Sequence, residues 1–201
     1  MTQANLVRLS GLAAAVGGAV FMISMLTPLR GLSRVAVPGS VVCMMLGTVG
    51  LYSVLHGRRR GQQRLGLQQL GLVLAGIGLA LGILGMTVGD ALGPLSPWGR
   101  LMNTGEHVGL VFIGAAMGTW GVLAVQTSAL GRWSFTPIPI GVCGLVGLTS
   151  LRPTTFDVME AGPLPLLFSG AWILLGLGLL ISGSAPHRDS QASPAGVSTT
   201  S

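Results

Sequence analysis

The chain has 201 residues, 50% of them hydrophobic and only 8% charged. A soluble domain wets its surface with roughly a quarter charged residues, so this composition excludes a soluble globular protein. The formal net charge of +6 comes from 11 arginines and no lysine. These arginines flank apolar runs, where they act as a topology signal, and no aromatic-plus-basic pattern of a nucleic-acid binder accompanies them.

In chain order the sequence predicts an all-α polytopic transmembrane helix bundle of six spans within residues 1–183. A span needs about 20 consecutive apolar residues. The first, 9–26, is too long for the core of a signal peptide and lacks a cleavage site after it. Span 2, 37–55, closes on His56 and the cluster Arg58, Arg59, Arg60 and Arg64. These arginines are expected to lie against anionic lipid headgroups, each contributing about 1 kcal/mol.

Span 3, 67–89, is free of charge. It carries Gly71, Ala75, Gly78, Gly82, Gly85 and Gly89 at alternating spacings of four and three. That spacing puts all six on one helix stripe, and small residues let membrane helices approach closely. Span 4, 106–130, has a stripe of its own: His107, Gly114, Gly118 and Gly121. The two stripes are expected to pack together, antiparallel.

Span 5, 134–151, is the shortest for its task, and Pro137 and Pro139 stand near its start. Proline is tolerated in a first turn, where N–H groups lack partners anyway; a re-entrant segment is the alternative. Span 6 covers 164–181. Residues 184–201 are rich in Ser, Ala and Pro and are expected to be disordered.

Spans 2, 4 and 6 share a short pattern, glycine followed two residues later by an aromatic: Gly50 and Tyr52, Gly118 and Trp120, Gly170 and Trp172. Three tandem helical hairpins would explain it. So would chance, in a chain with 33 glycines.

With six spans, both termini share one side. That side holds Arg8, the four arginines of the 58–64 loop, Arg132 and Arg188; the other holds Arg30, Arg34, Arg100 and Arg152. The bias predicts cytoplasmic termini, and the Arg-, Gly- and Ala-rich composition suggests a bacterial inner membrane. Four of the five acids fall on the outer side: Asp90, Glu106, Asp157 and Glu160.

Asp90, Glu106 and His107 are the leading candidate cluster. Ionisable groups at a membrane boundary bind cations or pass protons; the plainer reading is capping and solvation at helix ends. Asp157 and Glu160 are a second acidic pair, with a solvated loop as their plainer reading. Cys43 and Cys143 lie in apolar runs, so a disulfide framework is not expected. His56 and His107 fall at opposite membrane faces, which argues against a shared haem. No zinc, phosphate-loop or nucleophile motif occurs, so no cofactor or metal is expected. The reading is a non-enzymatic structural or interaction subunit, whose partners are membrane lipid and a protein or second copy. A small transporter with its site at Asp90, Glu106 and His107 is the alternative, and a membrane enzyme using Asp157 or Glu160 the third.

Overall fold

In lipid, backbone polar groups must be paired within the segment that carries them, so apolar runs of this length form helices. The computed structural model describes residues 2–26, 30–57, 62–92, 96–150 and 163–183. Within its helices the side chains of 25, 30–35, 37–38, 62–65, 86–87, 89–91, 99–104, 106–107 and 147–150 lie outside that description. The helices are α1 (Gln3–Leu26), α2 (Arg30–Gly57), α3 (Gln62–Leu92), α4 (Pro97–Thr127), α5 (Pro137–Ser150) and α6 (Leu164–Ser182). Five are long and apolar enough to cross a membrane. Among the described residues there is no strand.

Several helices run well past their apolar stretches. α2 begins at Arg30, and α4 begins at Pro97 rather than at Glu106. Helical hydrogen bonding does not require apolar side chains, and Pro97 suits a first helical position because its missing N–H would be unpaired there. α5 is described over 14 residues, about 21 Å at 1.5 Å per residue.

Between α4 and α5 the chain turns tightly. Ser128 and Gly131 take left-handed φ of 47° and 56°. The Ser134 hydroxyl accepts from the Leu130 N–H at 3.0 Å and donates to the Gly131 carbonyl at 2.8 Å. The Thr136 hydroxyl donates to the Trp133 carbonyl at 2.8 Å. These side chains supply partners that the interrupted helices leave open. Arg132 lies over the Trp133 ring, 5.5 Å from its centroid, in the cation–π range.

The helices form a circle in which α3, α4, α5, α6, α1 and α2 follow one another, and α2 closes it lightly on α3 and α4. The end that holds the start of α1 is called the near end, the opposite one the far end. At the α1/α6 and α3/α4 boundaries pairs of glycines face backbone. On α1 and α6, a carbon added at Gly11 would stand 2.7 Å from the Gly176 carbonyl oxygen, and one added at Gly176 would stand 2.5 Å from that of Gly11. Gly18 faces Ser169, and Gly183 faces Ala4, in the same antiparallel register. On α3 and α4, carbons added at Gly78 and Gly109 would each stand 2.6 Å from the other's carbonyl oxygen. No side chain fits at either crossing.

Gly71 of α3 faces the Trp120 indole of α4, and Ala75, Gly78 and Gly85 are buried. Gly82 brings its backbone N within 2.8 Å of a carbon added at Gly109. The side of Gly89 is not described. The expected partner stripe on α4 is different. Gly114, Gly118 and Gly121 turn to α5, where Gly141, Gly144 and Ile138 meet them. α4 meets α3 instead through Gly109, Ile113 and Trp120. α4 therefore has two small faces, and the one visible as a glycine stripe serves its other neighbour.

The three glycine–aromatic pairs do not share surroundings. A carbon added at Gly50 would meet Ser10 of α1, while one added at Gly118 or Gly170 would meet open space. The hairpins also differ: α1/α2 and α3/α4 are tight, while α5/α6 is looser.

Candidate functional site

The Gly78–Gly109 crossing fixes the register of α3 against α4 and with it the level of the far-end ionisable residues. The backbone of Asp90 lies across from the first turn of α4. The backbones of Glu106 and His107 lie about nine residues deeper, roughly 14 Å at 1.5 Å per residue. They stand directly before Val108, where the apolar stretch of α4 begins. The separation follows from α4 starting at Pro97: Glu106 is well inside the helix, so it does not occupy a dipole-stabilised first turn. The side chains of all three residues lie outside the described set, as do Asp157, Glu160, Arg58, Arg59 and Arg60 entirely and the Arg64 side chain.

The near end holds a side-chain cluster that the sequence reading did not single out. Tyr52 of α2 stands against Trp120 of α4 with ring centroids 6.3 Å apart, and against His56 at 5.7 Å. Gln68 of α3 is buried, at 5% exposure. Its amide nitrogen donates to the Tyr52 carbonyl at 3.4 Å, and its own carbonyl accepts from the Trp120 indole N–H at 3.3 Å. Gln3 of α1 donates to the Ser53 carbonyl at 2.9 Å, and the Arg8 guanidinium donates to the Gly183 carbonyl at 3.1 Å. Amide, imidazole and indole groups thus gather around the end of α2, which meets α3 and α4 through Tyr52 and α1 through Ser53. A buried amide is costly unless bonded, so the Gln68 side chain favours the placing of α2 that offers it the Tyr52 carbonyl, while Trp120 of α4 bonds the Gln68 backbone carbonyl. The signal was present in sequence: two adjacent glutamines, Gln68 and Gln69, interrupt an otherwise apolar helix.

Deeper in the bundle, Trp172 is fully buried and stands T-shaped against Phe168 at 6.2 Å; Phe168 in turn meets Phe21 at 6.2 Å. The indole N–H groups of Trp172 and Trp133 are buried without a hydrogen-bond partner. Such groups each cost about 1–3 kcal/mol, which the packing of two large rings offsets. Two buried hydroxyls bond back to their own helix: Ser169 to the Pro165 carbonyl at 2.6 Å and Thr48 to that of Met45 at 2.6 Å. Cys43 and Cys143 are free thiols, half-buried; Cys43 lies against Gly17. Among the described residues no group of three His, Cys, Asp or Glu side chains is placed to hold a metal.

The helices, their apolar lengths and their mutual packing define a multi-pass membrane protein with an all-α fold. No protein-family model matches the chain, and comparison with characterised proteins and with solved structures gives no match.

Proposed function

We propose that the protein is a non-enzymatic structural or interaction subunit of the bacterial inner membrane, with both termini in the cytoplasm. The observation that carries this reading is the glycine-to-backbone closure of α1 on α6 and α3 on α4. Such contacts hold the helices they join in a fixed relation, since membrane helices associate through close packing and not through exclusion from water. Arg58, Arg59, Arg60 and Arg64 provide the attachment to anionic headgroups in this reading. Lipid, and a protein partner or second copy, are the partners of this reading.

The test is reconstitution of the full chain in proteoliposomes made with and without anionic lipid. The expected result is tighter association of the near end with anionic lipid and no flux of protons, cations or small solutes. Measurable flux overturns the structural reading.

A second reading, a small transporter, is favoured by the position of Glu106 and His107 at the edge of α4's apolar stretch. In it they form the inner part of a far-end polar path, with Asp90 further out as its mouth. Flux that disappears with Glu106→Gln or His107→Asn would establish it; flux indifferent to both, and to Asp90→Asn, would remove it.

A further inference from the structure

The six boundaries around the circle are of two kinds. Those between α1 and α2, α1 and α6, α3 and α4, and α4 and α5 are closed by glycines set against the facing helix. On α1/α2, for example, a carbon added at Gly17 would stand 2.7 Å from the Ser40 carbonyl oxygen, and one at Gly47 would stand 2.6 Å from Ala14 Cβ. Among the described glycines none makes such an approach between α2 and α3 or between α5 and α6. These two boundaries cut the circle into two groups of three: α6, α1 and α2, organised on α1, and α3, α4 and α5, organised on α4.

The individual side-chain contacts described across the cut lie at the near end. On one side Gln68 donates to the Tyr52 carbonyl and Tyr52 stands against Trp120. On the other, Trp133, just ahead of α5, packs on α6, its Cβ 2.9 Å from where a carbon on Gly178 would be. Tyr52 is near the end of α2, Gln68 near the start of α3, and Gly178 near the end of α6. Both boundaries are therefore pinned by an aromatic residue at the same end of the molecule.

We propose that the protein consists of two rigid three-helix bodies, hinged at the near end by the Tyr52–Trp120 and Trp133–Gly178 contacts, which part and close at the far end. Backbone-close seams leave no slack for sliding, because packed interfaces resist continuous deformation. Boundaries without such seams separate at the smallest cost in lost contacts. The motion is a hinge between bodies, of the rocking kind used by membrane proteins that expose a face alternately. The inference rests on neither reading of function given above.

Pulsed electron-spin distance measurements on the full chain in lipid nanodiscs test it, in a background of Cys43→Ala and Cys143→Ala. Three labelled pairs use exposed positions: Leu26→Cys with Leu92→Cys spans the bodies at the far end. Asn5→Cys with Leu67→Cys spans them at the near end. Leu26→Cys with Leu166→Cys lies within one body at the far end. The expected result is a broad or two-peaked distribution for the first pair and narrow ones for the other two. A first pair as narrow as the third overturns the hinge, and a third pair as broad as the first overturns the rigid bodies. Adding Tyr52→Leu is expected to broaden the near-end pair as well; a near-end distribution that stays narrow in that variant shows that Tyr52 is no latch. The first three measurements stand without this variant if it fails to fold.

Discussion

α3 has two neighbours in sequence, and it treats them differently. Against α4 it sets Gly71, Ala75 and Gly78, and the two backbones come into contact. Towards α2 it is joined by a short connection, yet the packing is slight and is concentrated where Gln68 meets Tyr52. Elsewhere it presents Leu70, Val73, Ile77 and Leu84 outward, all exposed, as befits contact with lipid. Lipid tails are as apolar as leucine, so burying such side chains gains little in a membrane. Tightness between membrane helices therefore follows from how small the facing residues are, and a short connection does not by itself produce it.

The comparison is easiest to break at its tight side. Gly176→Leu would force a side chain into backbone atoms of Gly11 and Ala15 at 2.5 Å. A loss of at least about 4 kcal/mol, or no folded protein, is expected, read by thermal unfolding in mild detergent. Gly78→Leu should behave alike at the α3/α4 seam. Trp120→Ala comes next, at about 3 kcal/mol for the cavity left by a fully buried ring. Should it cost more than Gly176→Leu, the aromatic contact and not the glycine seam would be the main support. Trp120→Phe keeps most of the ring but removes the bond to the Gln68 carbonyl, and about 1 kcal/mol is expected. At the bottom is Gly76→Ala, where the side of the helix is open. Its melting point should move by no more than about 0.5 kcal/mol equivalent, upward if the better helix propensity of alanine prevails.

The span-forming character of the chain was legible because hydrocarbon leaves few options: long uncharged runs must be helices. The stripe on α3 was legible for a related reason, since a four–three spacing maps onto one face wherever the helix goes. What the stripe faces was not. α4 offers small residues on two sides, and Gly114, Gly118 and Gly121 advertised the side that meets α5. Gly109, which meets Gly78, belongs to no obvious series because Ile113 and Trp120 share its face. The start of α4 was hidden for a different reason: hydropathy locates the apolar stretch, while the helix begins nine positions before Glu106, at Pro97. The near-end cluster escaped notice because its bonds run largely to backbone carbonyls, which leave no mark in sequence. Tyr52, Gln68 and Trp120 are far apart in the chain and become neighbours only through packing.

The register that joins α1 to α6 bears on how the protein is made. Ala4, Gly11 and Gly18 meet Gly183, Gly176 and Ser169, so α1 finds one of its two close partners in a helix made long after it. Until synthesis has passed Ser182, the small face of α1 has only lipid or the insertion machinery to rest on. Assembly inside the bilayer thus cannot finish by growing outward from the first hairpin. The α1/α6 seam closes in one late step, and a chain cut short before α6 would display a bare, backbone-deep groove along α1, a feature by which membrane quality control can tell an unfinished molecule from a finished one.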